Sequence, residues 1–197
     1  MNIKFISYIT LIFMILGCVG EEDIKSQIDN ELNTLTTIDH HTKYLEKIVH
    51  KDQEGRKNSK KLLDQYGYES KEYNDAIIAL RKEDELRLVK IERYLRKFGH
   101  PKKNKVGEIA ASAPYLVIHH VGSSKGEEEN NFEFLYNAYI QEDIDYGAFS
   151  FYLNRMYTRK YRKRHQIESP YKPEDEINSL IQKLNLADRT KKLKMDK

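Results

Sequence analysis

From Ser70 to Phe98 the chain sets Ile77, Leu80, Leu88, Ile91, Leu95 and Phe98 along one seam and covers the remaining faces with charge. Apolar residues spaced three and four apart commit such a segment to an amphipathic helix, and its stripe must be buried against other elements. The end of the segment is marked by chemistry. Arg93, Arg96 and Lys97 complement the negative helix terminus, Gly99 suits the left-handed residue beyond it, and Pro101 cannot continue it. Composition narrows the fold further. Nine Gly and four Pro among 197 residues exclude a collagen-like or Pro-rich chain. A single Cys excludes an internal disulfide framework and a multi-Cys zinc site. Thirty-four Lys and Arg against 31 Asp and Glu leave a net charge of +3, which argues against a chain built to hold nucleic acid.

Other segments carry the same periodicity. Ile24, Ile28, Leu32, Leu35, Ile38, Leu45 and Val49 predict one helix, weakened in its middle by Thr34, Thr36 and Thr37. A second, short helix is expected from Gly55 to Gln65, ending near Gly67, and Lys102 to Lys105 reads as a polar connection. Val106 to Val121 is the most apolar stretch after the N-terminal run. A buried helix entered through Gly107 and Glu108 is expected there, kinked or restarted by Pro114, with a buried strand at Tyr115–Val121 as the alternative. Gly122 to Asn131 reads as a loop, and Phe132–Gln141 and Tyr146–Lys163 as helices. A last helix opens at Pro173-Glu174-Asp175-Glu176 and carries Ile177, Leu180, Ile181, Leu184 and Leu186. The fold expected is all-α: a single compact multi-helix domain behind a cleavable signal segment, with some of the fourteen Tyr filling core positions.

That front segment, MNIKFISYITLIFMILGC, has Lys4 ahead of an apolar run from Phe5 to Leu16. The run is short of the roughly 20 apolar residues that span a bilayer, but it suits the core of a signal peptide. It ends in Ile15-Leu16-Gly17-Cys18, which resembles the bacterial lipoprotein box. The resemblance implies cleavage before Cys18 and acylation, palmitate included, of that cysteine. Several acyl chains, each contributing about 0.8 kcal/mol per buried CH₂, anchor a protein stably where one would not. The expected organisation is a signal peptide at 1–17, a lipidated terminus and tether at 18–23, a helical domain at 24–187 and a basic tail at 188–197. Val19, in place of an Asp after the cysteine, favours the outer membrane over the inner, without fixing the leaflet.

Motifs of catalysis are scarce. No G-x-S-x-G, P-loop or G-x-G-x-x-G occurs, and no H-E-x-x-H, so no cofactor and no metal are expected. His40-His41 and His119-His120 are adjacent pairs, which diverge by about 100° on a helix and make no bidentate clamp. The first pair reads as exposed surface. His119-His120 closes the most apolar segment, where a histidine is either a satisfied core residue or a pocket-lining acid, base or ligand. Arg155, Arg159, Lys160, Arg162, Lys163 and Arg164, interleaved with Tyr157 and Tyr161, form the densest basic stretch. In an exported chain this suits anionic lipid or envelope polysaccharide better than nucleic acid.

The order of short motifs resembles a bacterial domain family of unknown function found in exported or lipid-anchored proteins. The motifs are Asp52-Gln53-Glu54-Gly55-Arg56, Gly99-His100-Pro101, Val106-Gly107, the aliphatic run Ala110 to His120, and the helix Ala148 to Arg155. The resemblance spans about Val49 to Leu186 and implies a polar site of Asp52, Gln53, Arg56, His120 and Arg155, with Gly99, Pro101 and Gly107 structural. Asn154 stands where the pattern has Asp, and the pattern's Gln- and Tyr-Gly-rich segment is replaced by MYTRKYRKRH. Both departures bear on any catalysis in that region. Asp, Gln, Arg and His on core helices can equally form a structural hydrogen-bond network or line a functional pocket.

The expectation is therefore a non-enzymatic binding or interaction protein of the bacterial cell envelope. It would be held to the bilayer through acylated Cys18, with an anionic polysaccharide or another envelope protein as partner. The rival is a hydrolase-like enzyme using His120, Arg155 and Asp52, and a toxin- or immunity-type partner protein is a third reading.

Overall fold

The computed structural model describes residues 20–121, 130–166 and 172–190. The signal segment, Cys18, Val19 and the residues from 191 onward lie outside the described residues. What is described is helical: α1 Glu21–Asn33, α2 Ile38–Tyr66, α3 Lys71–Phe98, α4 Lys103–Val106, α5 Glu108–His120, α6 Phe132–Ile140, α7 Tyr146–Tyr161 and α8 Pro173–Lys183. The all-α expectation holds, and the region left open between helix and strand at Tyr115–Val121 is helix up to His120.

Five boundaries differ from the sequence expectation. The helix expected from Ile24 to Val49 is two helices, broken at Thr34 to Thr37. Thr37 takes an extended conformation and its side chain accepts from His40 N at 3.2 Å, so a β-branched residue that weakens a helix interior instead starts a new one. The short helix expected from Gly55 is the second half of α2, which continues without interruption to Tyr66. Gly55 sits inside it where α3 approaches: a Cβ there would lie 2.9 Å from Leu80 Cδ1. Lys103–Val106 forms a single turn, its first N–H bonded to the Asp143 carboxylate at 2.8 Å. Helix α1 begins at Glu21, inside the expected tether, and residues 187–190 are helical, with Arg189 3.0 Å from Glu133.

α2 and α3 form an antiparallel hairpin, in which His41 meets Tyr94 at one level and Arg56 meets Asp84 at another. Ser70 caps α3 by accepting from Tyr73 N at 3.2 Å. α5 packs against both hairpin helices, and α1 lies along α3 through Asp29–Arg93 and Glu31–Lys90. α7 and α8 pair with each other and join the same core through α5 and α6. Gly99 (φ 73°) and Gly107 (φ 83°) end α3 and α4 in conformations that side-chain-bearing residues rarely adopt, and so turn the chain into and out of the α4 corner. α5 continues through the buried Pro114, which lacks the N–H that would reach Ala110. Tyr44, Tyr94, Tyr136, Tyr152 and Tyr157 are buried in the core, as the composition implied. His41 is not the free surface residue expected: its Nδ1 is 2.9 Å from Tyr94 Oη and its ring meets Phe98 edge-on.

The core stops part-way along the hairpin. Between Gln53 and Glu83 only Ser59 is buried, so the distal halves of α2 and α3 project as a two-helix arm. Substitutions on the α3 seam should therefore differ sharply with position. Leu95→Ala, at 1% exposure, is expected to cost about 3 kcal/mol, whereas Ile78→Ala, at 53%, should stay within about 0.5 kcal/mol. Urea denaturation followed by circular dichroism measures both.

Candidate functional site

Where the arm leaves the core, the seams of α2 and α3 turn polar. On α2 the inward positions after Val49 are Asp52, Arg56 and Ser59; on α3 the positions between Leu80 and Leu88 are Asp84 and Arg87. Asp52 is completely buried. Arg56 grips it from one turn on, with Nη2 3.0 Å from Oδ1 and Nε 3.2 Å from Oδ2. The same Nη2 reaches Asp84 at 2.9 Å, and Arg87 donates to that Asp84 oxygen at 2.9 Å. Gln53 Nε2 donates to Asp52 Oδ2 at 2.8 Å. The last turn of α5 delivers His120, whose Nδ1 is 3.0 Å from the Asp52 carboxylate and 2.9 Å from Arg56 Nε.

One nitrogen thus faces an acceptor and a donor. With a proton on Nδ1, His120 donates to Asp52 and leaves Nε2 with a free lone pair. Without it, Nδ1 accepts from Arg56 and Nε2 becomes a donor. Burial pulls the Asp52 carboxyl upward, but hydrogen bonds from His120 and Arg56, together with their charges, prevail and hold it below the ordinary carboxylate range. The result is an ionised carboxylate orienting an imidazole, an arrangement that serves general acid–base chemistry if a substrate reaches Nε2.

A cleft does reach it. A hollow of about 740 Å³, lined by Arg56, Tyr68, Tyr73, Ile77, Leu80, Arg81, Asp84, Glu85 and His120 among others, opens between the arm and the end of α5. Its size falls within the roughly 300–1,000 Å³ typical of small-molecule sites. A second hollow of about 550 Å³ on the arm's other side shares Leu80 but none of the Asp52 cluster except Arg87.

The remaining candidates fall elsewhere. Arg155 Nη1 is 3.1 Å from Nε2 of His119, the neighbour of His120. A guanidinium only donates, so His119 Nε2 accepts and Nδ1 carries the proton; that Nδ1 is buried without a hydrogen-bond partner among the described residues. Burial, then the charge of Arg155, pushes the His119 pKa down to about 3. Its ring packs against Phe151 at 4.6 Å and Tyr115 at 5.6 Å, as a neutral core histidine does. Asn154 joins a separate cluster, donating to Glu176 at 2.8 Å beside Ser150, whose hydroxyl reaches Glu176 at 2.9 Å. In the basic stretch, Arg159 and Lys160 bond the Val121 and Leu184 carbonyls at 3.4 and 3.2 Å, and Arg162, in the left-handed conformation, ends α7. Arg162, Lys163 and Arg164 are exposed. Gly99 and Gly107 are the turn residues described above, and Pro101 is buried between them.

The sequence reading missed Asp84 and Arg87. The signal was present: Leu80 and Leu88 are two helical steps apart, and Asp84 occupies the step between them. Among the described residues no group of three or more His, Cys, Asp and Glu is arranged to hold a metal ion. Comparison with family models, with curated proteins and with solved structures gives no match, so the site is argued from its own geometry.

Two outcomes test this description. Asp52→Asn leaves Arg56 and Arg87 short of a buried anion and is expected to cost about 3–5 kcal/mol at neutral pH, read from the urea midpoint. The second concerns pH. His119 and His100, the latter pushed by burial to about 4, both lie below their ordinary 6.5 in the folded state. Each contributes stability that is complete above pH 6.5 and is lost as the pH falls towards the folded-state value, because the unfolded chain takes up the proton first. Asp52 adds a similar loss at lower pH, below the ordinary carboxylate value. His119→Gln should therefore show a smaller drop in stability between pH 6.5 and pH 4 than the wild type does.

Proposed function

We propose that the chain is a lipoprotein of the bacterial cell envelope whose helical domain binds a ligand in the cleft over Asp52 and His120. Anchoring rests on the Ile15-Leu16-Gly17-Cys18 box, and the outer membrane is the favoured site because Val19 follows the cysteine. Helix α1 starts three residues after Cys18, so the domain would be held directly at the bilayer surface. Among the described residues no helix is long and apolar enough to cross a membrane. The observation that carries the binding reading is the cleft itself, floored by His120 and Arg56 and backed by a buried ionic network that fixes both. Asp52 and Arg56 on α2 lie 68 and 64 residues from His120 at the end of α5, and the three meet at one point beneath this cleft.

A second reading, a hydrolase-like enzyme, is favoured by one observation. The Asp52–His120 pair presents an oriented imidazole to the cleft, and Nε2 makes no hydrogen bond among the described residues. In that reading His120 is the general base, Asp52 orients it, and Arg155 acts through His119.

Membrane fractionation of cells expressing wild type and Cys18→Ala tests the anchor. Wild type is expected in the membrane fraction, labelled by radioactive palmitate, and the variant in the soluble fraction without label. Wild type found soluble and unlabelled would remove the anchor from the reading.

A further inference from the structure

One face of the arm has nothing packed on it. Leu80 and Asp84 turn towards α2, where Leu80 lies over Gly55 and Asp84 meets Arg56. At about 100° per residue, Lys71, Asp75, Ile78, Lys82 and Glu85 fall within roughly 40° of a line on the opposite side of α3. All five are exposed, and Ile78 at their centre is 53% exposed. The next position on that line, Val89, packs against the core, and beyond it Arg93 is held by Asp29 of α1. The line is therefore covered at its far end and, among the described residues, bare over the four turns of the arm.

The order of charge along those four turns is self-complementary. From Lys71 to Glu85 it runs positive, negative, apolar, positive, negative, with Ile78 in the middle. Read backwards, every sign is inverted. A second α3 laid antiparallel, Ile78 against Ile78, sets Lys71 opposite Glu85 and Asp75 opposite Lys82, each twice. A parallel copy in register sets like charge against like at all four positions, which repels. Lys71 and Asp75 pair with each other along the helix, and Lys82 and Glu85 have no ion pair among the described residues. The flanking positions do not oppose the antiparallel arrangement. Arg81 falls beside Asn74 of the second copy, and Glu72 and Glu83 lie about 100° or more round the helix from the line.

We propose that this face of the arm is a two-fold, antiparallel interface between two copies of the chain, centred on Ile78. A two-fold contact uses the same patch on both partners, as this stripe does. The axis stands perpendicular to both helices and keeps each side of the arm on its own side. The two clefts, which Asn74, Arg81 and Glu85 also line, then open on one face of the pair. Four turns of one helix on four of another bury less than the roughly 1,200 Å² of a stable interface, so the association is weak, with a Kd on the order of 10–100 μM. The inference goes beyond the anchor and the cleft and depends on neither.

Sedimentation equilibrium of the full mature chain in density-matched detergent tests it. A monomer–dimer equilibrium is expected, loosened by high salt because the ion pairs are exposed. Lys82→Glu, which sets Glu opposite Asp75, should weaken the dimer at least tenfold, and Asp75→Lys with Lys82→Glu should restore it to within about threefold. These side chains are exposed, so the thermal midpoint should not move. Cys18 is the only native cysteine, which makes Ile78→Cys a direct reporter. Under mild oxidation it should cross-link two chains faster than Ile140→Cys, equally exposed on α6, both measured against wild type. A chain that stays monomeric up to about tenfold above that Kd range leaves the face to some other protein and overturns the proposal. So does an association untouched by Lys82→Glu, as two anchors sharing one micelle would give. Failure of the double exchange to restore the dimer, equal cross-linking at positions 78 and 140, or assembly beyond the dimer also overturns it.

Discussion

One carboxylate holds three helices together. Asp52 is fully buried on α2, receives His120 from α5, and is joined to α3 through the Arg56–Asp84 contact. An isolated carboxylate in that position would neutralise itself by taking up a proton. Here it stays ionised because His120 from α5 and Arg56, one helical turn away on its own helix, both hydrogen-bond it. Such a cluster adds little to net stability compared with apolar packing, yet removing one member leaves a buried charge uncompensated. Its consequence is geometric: the register of α2 against α3 and the rotation of α5 are both fixed at the level of this one group.

The cleft follows from that polar layer. Below it, Leu45, Ile48, Leu88, Ile91 and Leu95 pack continuously with α5, and the hairpin is part of the core. Above it, no third helix among the described residues covers the hairpin, and Gly55 allows Leu80 to come close enough for the two helices to support each other alone. The end of α5 terminates at the junction, so His120 stands at the step between a covered and an uncovered stretch of the same two helices. A site at such a step is both rigid, because its floor belongs to the core, and accessible, because its walls belong to the arm.

Much of this was legible in the sequence, and the losses share a cause. Helical periodicity, the cap at Gly99 and the entry at Gly107 follow from local chemistry, and local chemistry is what a sequence displays. The continuity of α2 through Gly55 was hidden because a glycine that weakens an isolated helix is tolerated where a neighbour needs the space. The pairing of Arg155 with His119 instead of His120 was hidden for a related reason. Adjacent residues on a helix point about 100° apart, and only packing decides which of them meets α7 and which meets α2. Asp84 and Arg87 were visible as a gap in an apolar seam. Two charged residues on a buried face are a stronger signal of a polar site than any short motif, because each must find a partner there.

The shared nitrogen of His120 gives the network a property that none of its members has singly. Arg56 Nε can donate its hydrogen bond to Asp52 or to His120, and His120 Nδ1 can donate to Asp52 or accept from Arg56. These choices are coupled, since each filled bond excludes the other at Nδ1. With the proton on Nδ1, Nε2 faces the cleft as a lone pair, the form that takes a proton from a hydroxyl group; without it, Nε2 is a donor. A binding protein and an acid–base catalyst built on this network would differ only in what lies within reach of Nε2.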